Sequence, residues 1–138
     1  MAKKIKKPTL EQIKIIHHKI IESSGKEFLE LPKIKEGLIQ SALDGIDQGF
    51  GNEAFYPTIC DKAMHILRSI QGAQAFPDGN KRVALAATEY FLQMNRSQIS
   101  NVSQKQKVDF VFAIANNTIS KEKMVQCCIT AIKGSNNS

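Results

Sequence analysis

Residues 74–95 read QAFPDGNKRVALAATEYFLQMN, and two kinds of structure follow one another within this stretch. The first part has turn residues, with Pro77 and Gly79 on either side of an acid. From Gly79 or Asn80 onward, apolar residues recur at the spacing of an α-helix as far as Met94. Small alanines among them allow neighbouring helices to approach closely. The stretch therefore predicts a turn that opens a central, well-buried helix.

Helical periodicity also dominates the rest of the chain. No run alternates over any useful length with the two-residue period of a half-buried strand. With 138 residues, the chain is long enough for one core and too short for two comfortable domains. We therefore predict an all-α fold, a single compact domain of about six helices over residues 9–133. The expected helices span residues 9–25, 34–46, 58–72, 79–94, 103–116 and 120–133.

The two ends of the chain have the composition of tails. Segment 1–8 is rich in lysine and is expected to be a solvated, mobile tail, and residues 134–138 are expected to be disordered. The lysines are not followed by the apolar run of a signal peptide, and no stretch has the length of a membrane span. We expect a cytoplasmic protein with no membrane partner.

The cysteine spacing and the net charge limit the classes of protein that fit this sequence. Three cysteines without a CxxC pair form neither a disulfide framework nor a metal-binding spacing. The formal net charge of +6 permits nucleic acid, nucleotides or acidic proteins as partners. Direct nucleic-acid binding is not expected, because no stacking aromatics are interleaved with the basic residues and no helix-turn-helix spacing is evident.

The start of the central helix concentrates groups that bind phosphate. Backbone N–H groups at a helix start lack intrahelical partners and carry a partial positive charge. Gly79 would let the backbone approach an anion, and Lys81 and Arg82 add charge and a bidentate fork. Asp78 stands where it would cap the helix or hold a magnesium ion. A plainer interpretation stays open, in which Asp78 is an N-cap, Gly79 is a turn residue and the two cations are a solvated face.

The stretch AFPDGNKRVALAATEYFLQMN resembles the signature of the Fic and death-on-curing (Doc) proteins. In the Doc branch this signature is usually written HxFxDGNKRxAL, with Asn allowed for the Asp and Ala for the Gly. The segments IHHKIIESSG, GLIQSALD and FGNEAFYPTICDKAMHILRSI also resemble the family, as do the closing helices, so that the similarity covers roughly residues 9–132. The resemblance implies the helical Fic/Doc fold with a flap.

The flap would be segment 47–57, DQGFGNEAFYP, and it has two interpretations. Its glycines and its proline are typical of a loop. Phe50, Phe55 and Tyr56 would then anchor this loop to the core. Alternatively, as the resemblance implies, the segment aligns an extended part of a target protein by backbone pairing.

The resemblance gives a role to each residue of the loop before the central helix. Phe76 would pin the loop into the core, and Asp78 would be the ligand of Mg²⁺. Gly79, Asn80 and the backbone that follows would form an anion hole for the phosphates of ATP. The candidate site residues are Gln74, Asp78 and Lys81 for catalysis, Gly79, Asn80, Lys81 and Arg82 for ATP, and Asp78 for the metal.

At position 81 this sequence has a lysine, and in this respect it resembles the kinase branch of the family. In members that transfer AMP, a glycine stands at this position and leaves room for a diphosphate. In the Doc branch a lysine fills this space, and kinase members transfer the terminal phosphate of ATP to a threonine of translation elongation factor Tu. The resemblance implies a toxin of a toxin–antitoxin pair, which inhibits translation and is covered by a separate antitoxin. AMP transfer is the alternative activity.

Gln74 departs from the family signature, because the family has a histidine there that acts as base toward the attacking hydroxyl or accepts the phosphoryl group. A carboxamide has no useful basicity near pH 7. Three interpretations stay open: a toxin inactivated at one residue, a non-catalytic relative that binds nucleotide or a partner, or residual activity through another base such as Asp78. The histidines present, His17, His18 and His65, are predicted to lie away from the loop, at the surface or the edge of the core.

Overall fold

The computed structural model describes residues 5–25 and 35–133 of the chain. Within these ranges the all-α prediction is confirmed, and each helix overlaps its predicted range. The elements are α1 (Leu10–Ser23), α2 (Glu36–Asp44), a 3-10 turn (Gly45–Asp47), β1 (Gly49–Phe50), β2 (Glu53–Ala54), α3 (Ile59–Ala73), α4 (Asn80–Met94), α5 (Gln104–Ala115) and α6 (Lys121–Lys133). The expected start of the second helix at residue 34 and the expected tail 134–138 lie outside the described residues.

Capping boxes fix the starts of three helices. In each box the side chain of the cap residue and a side chain three residues later satisfy each other's backbone N–H groups. The pairs are Thr9 with Gln12 in α1, Thr58 with Asp61 in α3, and Ser103 with Gln106 in α5. Thr9 and Gln12 already have capping-box spacing in the sequence, which predicts this start of α1, and the structure confirms it. α4 differs from these helices, because no side chain caps its start.

α3 and α4 form the central pair of the fold. α1 and α5 pack against α4, and α2, α5 and α6 pack against α3. The predicted burial of the central helix is confirmed, since α4 places Val83, Ala87 and Phe91 fully in the core. The turn from α3 to α4 also buries Ala75 and Phe76 in that core. The core therefore holds this turn in place at one end of the central pair.

The segment expected to be a flap contains a short antiparallel hairpin. Gly49 pairs with Ala54, and Phe50 pairs with Glu53. A side chain at position 49 would collide with the main chain of Glu53, so that the close pairing of the two strands requires glycine.

The aromatic residues of this segment have different environments. Phe50 is 83% exposed and Phe55 is 58% exposed, so neither anchors the segment to the core. Tyr56 is partly buried, and the centroid of its ring lies 4.3 Å from that of His65. Its carbonyl oxygen accepts a hydrogen bond from Lys62 Nζ. The anchoring interpretation is therefore wrong for the two phenylalanines and holds for Tyr56.

The described part of the expected N-terminal tail is attached to the domain. Lys7 Nζ lies 3.1 Å from carboxylate oxygens of both Asp44 and Asp47. The main-chain N–H of Lys6 donates to the side chain of Asn95 at 2.8 Å. Residues 5–8 thus differ from the mobile tail that their lysine content suggested, because acceptors in α2, in the 3-10 turn and at the end of α4 bind them. Among the described helices, none has both the length and the apolar character needed to cross a membrane.

Candidate functional site

The turn between α3 and α4 is braced by the side chain of Asn80. Gln74 ends α3 in the left-handed conformation (φ 49°), and Gly79 precedes α4 with φ 82°. The Asn80 amide is buried and spans the turn: its Oδ1 accepts from Phe76 N–H at 3.1 Å, and its Nδ2 donates to Phe76 O at 2.8 Å. The side chain expected to help form an anion hole is therefore used to hold the turn, and the backbone N–H of Asn80 belongs to the helix start.

Phe76 lies in the core beneath this turn, as expected of a residue that pins the loop. It is 3% exposed, and its ring stacks on the imidazole of His17 with centroids 4.1 Å apart and an interplanar angle of 16°. The residue that completes this contact comes from α1, far away in sequence.

His17 contradicts the prediction that the histidines lie away from the loop. It is 2% exposed, and its Nε2 lies 3.1 Å from the carbonyl oxygen of Asp78. Burial lowers the pKa of His17, and the hydrogen bond to the Asp78 backbone partly opposes that effect. The sequence held a signal for burial, since His17 lies one helical turn from both Ile13 and Ile21. The contact with the loop depends on how α1 crosses α4.

The other two histidines agree with expectation. The side chain of His18 is 46% exposed and lies 3.3 Å from Glu22. His65 lies at the edge of the core, where its Nε2 is 3.1 Å from the carbonyl oxygen of Ala42. Neither residue lines the cleft described below.

The first turn of α4 presents backbone N–H groups that precede the first intrahelical hydrogen bond. That bond runs from Val83 N to Gly79 O at 2.8 Å, so that the N–H groups of residues 80–82 come before it. The cap residue is Gly79, and the interpretation of Asp78 as the N-cap is wrong. Asp78 is exposed, and its Oδ1 accepts from Gly79 N–H at 2.8 Å. This start carries the partial positive charge that favours anions.

One cleft of about 480 Å³ brings all the predicted site residues together. The wall from the α3–α4 turn and α4 includes Gln74, Asp78, Gly79, Asn80, Lys81 and Arg82. The facing wall comes from α5, and sequence reasoning missed it: it includes Gln104, Val108, Val111 and Phe112. The sequence held a signal, because Val108 and Phe112 are apolar residues one turn apart in a predicted helix. The structure shows that both are exposed.

The charged groups of the cleft favour an anion. Among the described residues that line it, Lys81 and Arg82 are the cations and Asp78 is the carboxylate. Lys81 Nζ lies 5.2 Å from the centroid of the Phe112 ring, across the cleft. A cation–π contact at an exposed site contributes only about 0.5–1 kcal/mol. A phosphate group can therefore compete for this ammonium group.

Gln74 stands at the rim of the cleft in place of a titratable group. Its Nε2 donates to Gln71 O at 2.8 Å, and its Oε1 lies 3.4 Å from Asn80 Nδ2. Over the described lining, the cleft has neither histidine nor cysteine. Gln74 can therefore hydrogen-bond a ligand but cannot accept its proton.

Asp78 is the group in this cleft that could hold a cation. Residues 5–25 and 35–133 contain no group of three or more His, Cys, Asp or Glu that could bind a metal ion by themselves. A nucleotide-bound Mg²⁺ needs only one or two carboxylates, because phosphates supply further oxygens. A carboxylate has about four acceptor sites, so the bond to Gly79 N–H does not exhaust it. Asp78 therefore fits a magnesium ion that arrives with a nucleotide.

The residues of the α3–α4 turn lie within a stretch that matches a known protein family. The model of the Fic/DOC family matches residues 7–92, which run from the segment before α1 into α4. A search of curated proteins found no match. The matched range includes the whole turn and the cations of α4, but not α5, so the predicted resemblance of the closing helices stays a prediction. Proteins of this family are generally transferases. Since the match covers more than half of its length, the chain belongs to the Fic/DOC family.

Proposed function

We propose that this chain is a Doc-like toxin of a toxin–antitoxin module. Its active form would transfer the terminal phosphoryl group of ATP to a threonine or serine hydroxyl of a protein. The observation that carries the proposal is the presence of Lys81, Arg82 and the start of α4 in one cleft with Asp78. These groups match what phosphoryl transfer requires, which is the positioning of phosphates and the neutralisation of their charge.

Asp78 would hold the Mg²⁺ that accompanies ATP. The support for this role is its exposed carboxylate at the start of α4, beside two cations that would bind phosphate oxygens. Bound there, the metal ion would neutralise negative charge on the phosphates. Lys81, Arg82 and the N–H groups of residues 80–82 would do the same from the protein side.

The proposed reaction is a displacement at the terminal phosphorus. The target hydroxyl oxygen forms a bond to the γ-phosphorus, the bond from that phosphorus to the bridging oxygen breaks, and ADP leaves with the bridging oxygen. The hydroxyl proton has to pass to a base. Lys81 and Arg82 would stabilise the charge that is spread over the transferring oxygens.

Gln74 leaves this reaction without its base, and we propose that the chain is impaired for that reason. General acid–base catalysis contributes a factor of about 10²–10⁴ in rate. The described lining of the cleft contains no histidine to replace it, and the Nε2 atom of His17 is bound to the Asp78 carbonyl. This observation favours a second candidate function, a non-catalytic relative that binds nucleotide or a partner protein. Residual activity through Asp78 would be small, since an exposed carboxylate is a weak base at neutral pH.

The position of Lys81 supports phosphoryl transfer over AMP transfer. Its side chain crosses the cleft toward Phe112, in space that a glycine would leave open. An ammonium group in that space favours a terminal phosphate beside it and restricts room for a diphosphate. AMP transfer of the Fic type is therefore the weaker alternative.

The partners proposed here come from the family resemblance. The protein target would be translation elongation factor Tu, and modification of it would inhibit translation in the cytoplasm. A separate antitoxin would cover the cleft. The apolar α5 wall, with Val108 and Phe112 partly exposed, supports a covering segment with apolar side chains.

The decisive experiment compares transfer of label from γ-labelled and α-labelled ATP. The unaltered chain and Gln74→His are incubated with Mg²⁺ and elongation factor Tu. We expect Gln74→His to transfer the γ-label at least about 100-fold faster than the unaltered chain, because a base is restored. Gln74→Asn is the matched control, since it changes the same residue without adding a base.

Three other outcomes would lead elsewhere. Transfer of the α-label would replace the proposal by AMP transfer. Binding of ATP without transfer of either label by any variant would favour the non-catalytic candidate. Failure of Gln74→His both to bind ATP and to transfer label would overturn the proposed function altogether.

Asp78→Asn in the Gln74→His background should abolish γ-transfer, while its side-chain oxygen still accepts from Gly79 N–H.

A further inference from the structure

His17 lies beneath the loop that carries the candidate metal ligand. It belongs to the buried face of α1, with Ile13 one turn before it and Ile21 one turn after it. Its ring stacks on Phe76, and its Nε2 reaches the carbonyl oxygen of Asp78 at 3.1 Å. One side chain of α1 therefore contacts both the buried anchor of the loop and the main chain of its carboxylate residue.

The direction of the hydrogen bond follows from the chemistry of its acceptor. A carbonyl oxygen has no proton to give, so Nε2 of His17 carries the hydrogen and donates it. The donor of this bond is shielded from water, because His17 is 2% exposed, and the bond as a whole is partly buried. A bond of this kind fixes the orientation of the peptide group that follows Asp78 more firmly than a solvated one would.

α1 also packs closely against the next residue of the loop. A Cβ atom added at Gly79 would lie 3.6 Å from Ile21 Cδ1 and 3.9 Å from His17 Cδ2. The loop therefore lies against α1 at two consecutive residues, with a hydrogen bond at Asp78 and with room for little more than a methyl group between Gly79 and α1.

We propose that His17 is a positioning residue, which holds the main chain of Asp78 so that its carboxylate meets the metal ion of a bound Mg²⁺–nucleotide. The proposal rests on the proposed function, because it gives His17 a task in nucleotide binding. The proposed phosphate contacts of Lys81 and Arg82 would not depend on this hydrogen bond, because both residues lie on α4. Loss of the bond should therefore weaken the Mg²⁺-dependent part of ATP binding and spare the part that is independent of metal.

Two substitutions separate the two contacts of His17. His17→Phe keeps a flat ring to stack on Phe76 and removes the donor. His17→Gln keeps an N–H donor at a similar distance from the main chain and removes the ring. If the hydrogen bond positions Asp78, His17→Gln should retain more of the Mg²⁺ effect than His17→Phe does.

The experiment measures the Kd of ATP by titration calorimetry, with Mg²⁺ and with a chelator, on the full chain and both variants. We expect His17→Phe to reduce the gain in affinity that Mg²⁺ gives by about tenfold, the usual effect of one hydrogen bond. Its Kd in chelator should be unchanged. An unchanged gain in a folded His17→Phe variant, or an equal loss with and without Mg²⁺, would overturn the role of His17.

Amide hydrogen exchange provides a readout without ATP. The N–H of Gly79 donates to Asp78 Oδ1, and it should exchange faster in His17→Phe than in the unaltered chain or in His17→Gln. If the unaltered chain binds no ATP in either condition, the proposed function fails. In that case faster exchange confined to His17→Phe would still support positioning of Asp78, and equal exchange in all three chains would overturn it.

Discussion

The two connections that flank α3 are built in opposite ways. The turn that leads into α4 is held from within, because Phe76 is buried and Asn80 bonds to both its N–H and its carbonyl. The segment that leads into α3 projects Phe50 and Phe55 into solvent and is attached at its base through Tyr56. One connection is part of the core, and the other offers apolar surface to another molecule.

This difference fits the two tasks of a transferase that acts on proteins. Phosphate groups must be held in a fixed geometry, since small displacements of reacting groups reduce rate strongly. Recognition of a protein chain needs exposed aromatic area instead. In this molecule the predicted phosphate-binding residues belong to the buried turn and its helix, and the exposed phenylalanines belong to the hairpin.

The largest expected contrast is in stability. Phe76→Ala removes a buried aromatic ring and should lower the free energy of unfolding by about 3–5 kcal/mol. Phe50→Ala removes a ring that is 83% exposed, and its effect should stay within about 0.5 kcal/mol. Urea denaturation followed by circular dichroism measures both. Similar shifts in the midpoint for the two variants would show that the hairpin is as much a part of the core as the turn.

A smaller effect should come from the brace inside the turn. Asn80→Ala leaves the buried N–H and carbonyl of Phe76 without their partner, at a cost of about 1–3 kcal/mol in the free energy of unfolding. Asn95 offers a comparison, because its side chain makes the same two bonds to the exposed main chain of Lys6, each at 2.8 Å, and its Nδ2 also donates to Phe91 O at 2.8 Å. Asn95→Ala should cost less in the same denaturation experiment, since water can replace the bonds to Lys6. An equal cost would mean that burial of the turn does not add to the loss in free energy of unfolding caused by Asn80→Ala.

Local features of the site could be predicted from the sequence because they are encoded within a few residues. An anion-binding helix start could be predicted here, because Gly79 is a turn residue before a helix and Asp78, Lys81 and Arg82 lie beside it. The capping box of Thr9 depends only on a residue three positions later. The helical class was likewise readable from periodicity.

Other features depend on how helices cross, which periodicity does not encode. The apolar stripe of α1 predicts that His17 is buried, but not that it meets Asp78 and Phe76. The α5 wall with Val108 and Phe112 faces the start of α4 because α5 packs against both α3 and α4. The family resemblance predicted Asn80 at an anion hole. Its side-chain bonds to Phe76 could not be predicted, because they depend on the backbone conformation of the turn. The contacts of His17 and of the α5 wall join residues that are distant in the chain. The Asn80 bonds join residues only four apart, but they depend on the conformation of the turn.

Exposure of the hairpin leads to a prediction about the target protein. If elongation factor Tu is the target, as proposed above, replacing Phe50 and Phe55 by serine in the Gln74→His background should raise the KM for it by about tenfold, as loss of an aromatic contact of moderate strength would. The Kd for ATP with Mg²⁺ should be unchanged, because neither residue lines the cleft. Ile15→Ser is a matched control, since Ile15 is 53% exposed on α1. A rise in KM with Ile15→Ser, or none with the phenylalanine variant, would assign recognition to another surface.

The smallest expected effect concerns His65, which lies where the hairpin is attached to the core. The ring of His65 contacts Tyr56, and its Nε2 is bound to Ala42 O. Burial lowers the pKa of His65, and the positive charges of Arg68 and Lys121 lower it further, against the hydrogen bond to Ala42. The ordinary pKa of histidine is about 6.5, so on acidification the unfolded chain binds this proton before the folded one does. The free energy of unfolding should therefore fall as pH falls below that value. His65→Gln keeps a donor for Ala42 and removes the titration, so its stability should fall less between pH 7 and pH 5 in urea titrations. A slope equal to that of the unaltered chain would mean that His65 gains its proton equally in both states, and that the base of the hairpin is open to water.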